Sequence, residues 1–245
     1  SSAASDVYKR QGCASCATIC PGHALEMVAR TSQVAQQRQA LDYVRSHVSI
    51  KDRLLPKTTI PGTQLCEPCL QFSGACAGCG ETPYVKLLTQ LFGNRMLIAN
   101  ATGCSSIWGA NYPSNAYCTD RHGMGPAWGN SLFEDNAEYG FGMLCAVNHR
   151  RDALKACAVR LAADSSVKQP VRDAAAAWVK AFHSPAGSQR TAKALIDAIG
   201  TDPSNHDAKQ ILRQADMLTA KSVWAIGGDG WAYDIGFAGL DHVLA

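Results

Sequence analysis

The chain has 245 residues, is 47% hydrophobic and carries a formal net charge of only +3, with no basic run. That is enough apolar matter for one large domain or two small ones, and it excludes the electrostatic footprint of a nucleic-acid or membrane-surface protein. No apolar run approaches the ~18 residues of a membrane span, and no signal-peptide pattern opens the sequence.

Residues 1–11 (SSAASDVYKRQ) have no apolar period. They read as a non-native or disordered tail, joined to a native start near Gly12. Next comes Cys13-x2-Cys16-x3-Cys20-Pro21. Bacterial ferredoxins carry C-x2-C-x2-C-x3-C-P. The last three cysteines and the proline of that pattern are present, but the place of the first is held by Arg10. Residues 12–23 therefore read as the remnant of a two-cluster ferredoxin-like module, with a zinc knuckle as the alternative.

From Ala24 to about Ile50 an uneven apolar stripe predicts a helix. Lys51 to Cys69 holds Pro56, Pro61, Gly62 and Pro68 and reads as an extended linker. Residues 24–72 thus form a helix and a linker ahead of the main domain, 73–245. Eleven cysteines is an odd count, in a chain too long to need disulfide staples. Most fall in C-x-x-C groups, which favours metal or cluster binding in a reducing compartment, hence the cytoplasm.

The stretch Ser73-Gly-Ala-Cys76-Ala-Gly-Cys79-Gly-Glu-Thr-Pro83 organises the rest of the chain. Little bulk stands between its backbone and whatever the two thiolates hold. Pro83 predicts a helix over Tyr84–Phe92, with Thr82 as its cap and Gly93 as its stop. An apolar strand, Met96–Ala99, leads to Thr102-Gly103-Cys104. Two thiolates before a helix and one after the next strand can converge on one iron–sulfur centre. Cys66-x2-Cys69-x6-Cys76-x2-Cys79 is the competing choice, a four-thiolate zinc site with a gap shorter than usual.

A long Gly-, Pro-, Asn- and Trp-rich loop is expected after Cys104. Ser131 and Glu134 match a capping box that opens a helix to about Val147. Ala-rich helices come next, at roughly 151–163, 168–182, 188–199 and 205–219; nothing in them carries chemistry, and Cys145 and Cys157 read as core thiols. Last comes a strand over Ser222–Ile226, ending in Gly228-Asp229-Gly230, with a helix from about Asp234 to Val243. Flanking glycines let a backbone approach a diphosphate, and a carboxylate suits Mg²⁺. A simple turn explains the same three residues. Ligands of open α/β sheets bind at the carboxyl ends of strands, where both loops are expected to lie.

Three stretches resemble a known family. FSGACAGCGETPYVKLLTQLFGNRMLIANATGCSSIWG, GPAWGNSLFEDNAEYGFGM and GGDGWAYDIGFAGLDHVLA are similar to the pyruvate:ferredoxin (flavodoxin) oxidoreductases. They resemble the thiamine-diphosphate domain of that family, preceded by the end of its ferredoxin-like domain. The resemblance implies an α/β thiamine-diphosphate-binding fold with a mainly parallel sheet and a peripheral Ala-rich insertion. It implies oxidative decarboxylation of pyruvate with coenzyme A to acetyl-CoA and CO₂. Electrons would pass through 4Fe–4S clusters to ferredoxin or flavodoxin, in a homodimer.

In residue terms the resemblance assigns Cys76, Cys79 and Cys104 to the cluster nearest the cofactor, and Cys13, Cys16 and Cys20 to the ferredoxin-type clusters. It assigns Asp229 to Mg²⁺, and Thr102, Cys104, Gly228, Gly230 and Trp231 to the diphosphate and thiazolium. The fourth cysteine of the proximal cluster, the second half of the thiamine motif and the activating glutamate are expected outside these residues, in the rest of the polypeptide. The isolated chain is therefore expected to be inactive. Cys66 and Cys69 match no ligand of the family. Another 2-oxoacid as substrate, or a pure electron-transfer module, are the other readings.

Overall fold

The computed structural model describes residues 14–29, 32–110, 115–132, 134–200, 204–234 and 239–244. The expected tail and Cys13 lie outside them. Two compact units emerge. The first runs to Asn94 and takes up Cys104–Gly125; the second joins Arg95–Gly103 to Pro126–Ala245.

In the first unit a single turn, α1 (Ser15–Thr18), is followed by a second turn, in which His23 N donates to Cys20 O at 3.1 Å, and then by irregular chain to residue 29. The helix expected from Ala24 begins only at α2 (Ser32–His47), which buries none of its residues. The supposed linker is not merely extended. Thr59 caps α3 (Ile60–Gln64), its hydroxyl accepting from the Gly62 N–H at 3.2 Å. Beyond α3, Cys66, Cys69 and Leu70 are buried. α4 (Thr82–Phe92) has Pro83 in its first turn, as expected. Thr82 is inside the helix rather than capping it; Gly93 is the C-cap, as expected, its N–H donating to Thr89 O, and it opens a 3-10 turn, Gly93–Arg95. Where a loop was expected after Cys104, α5 (Cys104–Ala110) forms. A short antiparallel bridge pairs Leu70 with Tyr117.

The second unit is built on a three-stranded parallel sheet, order β2-β1-β3, made of β1 (Met96–Ala101), β2 (Ala127–Ser131) and β3 (Ser222–Ile226). This is the α/β class with parallel strands that the sequence implied. β1 is central, and Met96, Ile98, Ala99, Asn100 and Ala101 are all buried. That explains its nearly unbroken apolar run: a parallel strand covered on both faces has no polar side to show.

α6 (Asn136–Ala163) crosses this sheet as one long helix. It merges the two helices expected on either side of residue 149, because no Gly or Pro interrupts Val147–Ala163. Gly140 faces the sheet: a Cβ there would make ordinary contacts, 3.4 Å from the Ala99 Cβ and 3.5 Å from that of Ala225. The capping box does not form. Ser131 ends β2, and its hydroxyl donates to Asn136 Oδ1 at 2.9 Å.

α7 (Gln169–Lys180), α8 (Pro185–Ile199) and α9 (His206–Arg213) pack with the distal half of α6 around their own core, centred on Trp178, Leu154, Leu161, Leu195 and Ile211. Ser184 and Asn205 cap α8 and α9 through their side chains. Cys145 is exposed on α6, not in the core; Cys157 is half-buried. After β3 the chain makes a π-helical turn, Gly230–Asp234; of the helix expected from about Asp234 to Val243, the described residues Gly239–Leu244 form α10, and 235–238 lie outside them.

Candidate functional site

In the second unit the two loops singled out by sequence leave neighbouring parallel strands. β1 and β3 pair through Asn100 and Ile226, so Thr102-Gly103 and Gly227-Gly228-Asp229 emerge at the same, carboxyl, end of the sheet. Ligands of open α/β sheets gather at that end, because strand termini and turns there present unpaired backbone groups.

A hydrogen-bonded frame fixes this end. Asn136, the first residue of α6, is wholly buried. Its amide donates to Ala99 O at 3.3 Å and to Ile226 O at 3.4 Å, and its Oδ1 accepts from Ser131. One side chain therefore ties the ends of all three strands. Thr102 is held beside it: its hydroxyl donates to Ser131 O at 2.7 Å and accepts from Asn130 Nδ2 at 2.8 Å. Sequence reasoning missed Asn136 and Asn130. The available signal was a helix start preceded by Asp135 and lacking a capping hydroxyl.

At the β3 loop, Asp229 is exposed, and its Oδ1 accepts from the Gly230 N–H at 2.9 Å. The Gly228 carbonyl accepts from Ala232 N at 3.0 Å. Trp231 is buried, and among the described residues its indole N–H has no hydrogen-bond partner. A Cβ on Gly227 would stand 2.6 Å from the Trp231 ring and 2.9 Å from the Ala101 Cβ, so only glycine lets the indole close over the turn. An outward carboxylate beside glycines and an unsatisfied indole donor fit a metal-bound diphosphate in donor type.

In the first unit, Cys76 and Cys79 flank a tight turn in which Cys79 N donates to Cys76 O at 3.1 Å. Gly78 takes a left-handed φ of +74° within it, a conformation that glycine adopts without strain. The backbone N–H groups of Thr82, then of Glu81, hydrogen-bond the Cys79 sulfur and hold its thiol below the ordinary range. A thiol at a helix start is poised to be a thiolate ligand. Cys76 and Cys104 are exposed. α5, which Cys104 opens, is tied to the start of α4 by the Trp108 indole, donating to Glu81 Oε2 at 3.0 Å.

Among the described residues, however, no three Cys, His, Asp or Glu side chains gather closely enough to hold a metal ion. The elements that carry Cys76, Cys79 and Cys104 are linked, but their sulfurs do not form a finished centre. Cys20 accepts from the Ala24 N–H at 3.4 Å; Cys16 lies in α1, and its side chain, like Cys13, is outside the described residues.

The four-thiolate zinc alternative is not supported. Cys66 and Cys69 are buried, at 6% and 2% exposure, and the Cys66 thiol donates to Gly62 O within its own turn. Burial, reinforced by the charge of Cys118, pushes the Cys69 thiol up to about 12. These are core thiols. The raised Cys69 value makes stability fall at high pH. The folded state keeps Cys69 protonated while the unfolded chain ionises it near its ordinary pKa of 9. Its contribution is therefore intact below pH 9 and is lost as pH rises from there to about 12, by roughly 1.4 kcal/mol per pH unit. Denaturant titrations at pH 8 to 11 will show this loss, and Cys69→Ala will flatten it.

The fold defines an α/β protein with a parallel sheet, from whose carboxyl end the Thr102 and Asp229 loops emerge. No family model matches the sequence. Comparison with known proteins carries the assignment further. The chain is 48% identical over 243 residues to the pyruvate:ferredoxin oxidoreductase of Moorella thermoacetica and 47% identical over 237 residues to the pyruvate-flavodoxin oxidoreductase of Klebsiella pneumoniae. It is 43% identical over 235 residues to the mitochondrial NADP(+) pyruvate dehydrogenase of Euglena gracilis. In each case 96% of this chain is matched, but it spans about 20% of the length of the first two relatives and 13% of the third. Its sequence thus corresponds to a segment of the pyruvate:ferredoxin/flavodoxin oxidoreductases.

Proposed function

We propose that this chain is the part of a pyruvate:ferredoxin/flavodoxin oxidoreductase that holds thiamine diphosphate and passes its electrons to a 4Fe–4S cluster. The observation that supports this best is the shared end of the sheet from which the Thr102 and Asp229 loops emerge. In this reading Asp229 binds Mg²⁺. Gly228 and Gly230 let the diphosphate come close to the backbone, and Thr102, Cys104 and Trp231 line the cofactor. Cys76, Cys79 and Cys104 ligate the proximal cluster, while Cys13, Cys16 and Cys20 serve ferredoxin-type clusters.

When bound, thiamine diphosphate would supply the electron-sink chemistry of 2-oxoacid decarboxylation, with Asp229 holding its Mg²⁺ and the 228–230 turn facing its diphosphate. The chain's own contribution is orientation and charge. The Asn136 frame fixes the strand ends, the Asp229 carboxylate offsets phosphate-bound metal, and the unsatisfied Trp231 N–H awaits an acceptor. Residues 73–245 form the thiamine-diphosphate domain, 12–23 the ferredoxin-like remnant and 24–72 the connection. The remaining ligands come from the rest of the polypeptide, and the enzyme works as a cytoplasmic homodimer. No helix of the described residues is long and apolar enough to cross a membrane.

The intact enzyme will reduce ferredoxin or flavodoxin only when both pyruvate and coenzyme A are supplied, with acetyl-CoA appearing in step. Reduction driven equally well by an unrelated 2-oxoacid, or reduction without coenzyme A, would overturn the pyruvate assignment.

A further inference from the structure

Cys69 and Cys118 stand opposite one another in the first unit. Leu70 pairs with Tyr117 in an antiparallel bridge, Gln71 N donates to Ala116 O at 2.8 Å, and Cys118 N donates to Cys69 O at 3.0 Å. In that register residues 69 and 118 are direct cross-strand partners, whose side chains leave the same face. Directly opposed residues have Cα atoms about 4.5–5.5 Å apart, inside the roughly 4.4–6.8 Å that a disulfide spans. Each sulfur has its own contact on that face. Cys118 Sγ lies 3.7 Å from Pro68 O, the carbonyl bonded to the Cys69 nitrogen. Cys69 Sγ is seated against Gly93, where a Cβ would stand 2.9 Å from it. Cys66, three residues away, turns its thiol back to Gly62 instead.

We propose that Cys69 and Cys118 form a reversible disulfide when the protein meets a peroxide. Cys118 is half-buried and reacts first, while Cys69, at 2% exposure, is shielded from bulk oxidant. The peroxide O–O bond breaks as the Cys118 sulfur takes up one oxygen, giving a sulfenic acid and, with a proton, one water. The Cys69 sulfur then displaces that oxygen. The S–S bond forms, the S–O bond breaks, and the Cys69 proton leaves with the hydroxyl as a second water. Two thiols lose two electrons, and the peroxide gains them. The staple would join the chain seven residues before Cys76 to the segment after α5, so it clamps the two arms that carry Cys76 and Cys104. The pairing does not depend on the function proposed above.

The test treats the intact protein with hydrogen peroxide at one equivalent, blocks remaining thiols with N-ethylmaleimide, and maps the digest by mass spectrometry. The expected product is a Cys69–Cys118 peptide pair two hydrogens lighter than its parts, which dithiothreitol separates. Cys118→Ser should abolish the pair and leave Cys69 unoxidised. Should that variant fail to fold, Cys69→Ala should leave Cys118 as sulfenic acid, trapped by dimedone. Recovery of Cys69 as an alkylated thiol from the oxidised native protein, or its appearance in a disulfide with Cys66, would overturn the proposal.

Discussion

Arg151→Ala will destabilise the second unit by about 4 kcal/mol, lowering its thermal midpoint by roughly 10 °C. Arg151 sits on α6 at 5% exposure. Its guanidinium donates through Nη1 to Met217 O at 2.7 Å and Leu218 O at 3.1 Å, and through Nη2 to Phe182 O at 2.7 Å. It also lies over the Phe182 ring at 4.5 Å. Those carbonyls lie at the ends of α7 and of the 3-10 turn Ala215–Met217, where backbone dipoles leave negative ends. Burial pulls the arginine pKa down, yet a guanidinium stays charged in any folded protein. The residue therefore joins three elements through charge-assisted bonds that alanine would leave as buried, unsatisfied carbonyls. Arg151→Lys keeps the charge without the planar fork and should recover less than half of the loss. Chemical denaturation measures both. A cost under 1 kcal/mol for the alanine variant would mean that water replaces the guanidinium at no penalty.

Asp229→Ala will weaken Mg²⁺-dependent thiamine-diphosphate binding by the intact enzyme by at least about 100-fold and bring pyruvate oxidation down with it. The carboxylate is exposed at the end of β3, and it accepts a hydrogen bond from its own neighbour, Gly230 N. Its removal should cost the fold less than about 1 kcal/mol. A large loss of binding beside an unchanged melting curve is thus the signature of a ligand. Asp229→Asn keeps the shape and the turn but not the charge, and should fall close to the alanine variant. Isothermal titration with thiamine diphosphate at saturating Mg²⁺ separates these outcomes; full binding by the asparagine variant would reduce Gly-Asp-Gly to a turn.

Much of the fold was legible because local chemistry and tertiary demand agree. β1 and β3 are short apolar runs bounded by turn residues, and Pro170 and Gly200 mark the start of one Ala-rich helix and the end of another. β2 was not legible. Ala127–Ser131 contains Trp and Gly with no strong alternation, and it becomes a strand only by pairing with β1 about thirty residues away. The same tertiary override undid the capping box: Ser131 serves the sheet through Asn136, so its hydroxyl is not available to a helix. The buried role of Cys66 and Cys69 was hidden by their C-x-x-C spacing, which looks like metal chemistry. Here Cys69 instead fills a small gap against Gly93. At the site, the glycines, Asp229 and the thiols could be named from local motifs. Asn136 could not, since its partners lie 37 and 90 residues away.

The proposed electron path stands or falls on whether Cys76, Cys79 and Cys104 share one iron–sulfur cluster. The most direct measurement is the EPR spectrum and iron content of the dithionite-reduced intact enzyme, beside those of Cys104→Ala, both prepared without oxygen. The variant should lose one whole 4Fe–4S cluster's iron per chain and one reduced-cluster signal, while the ferredoxin-type signals persist. An unchanged iron content and spectrum in Cys104→Ala would contradict a shared cluster.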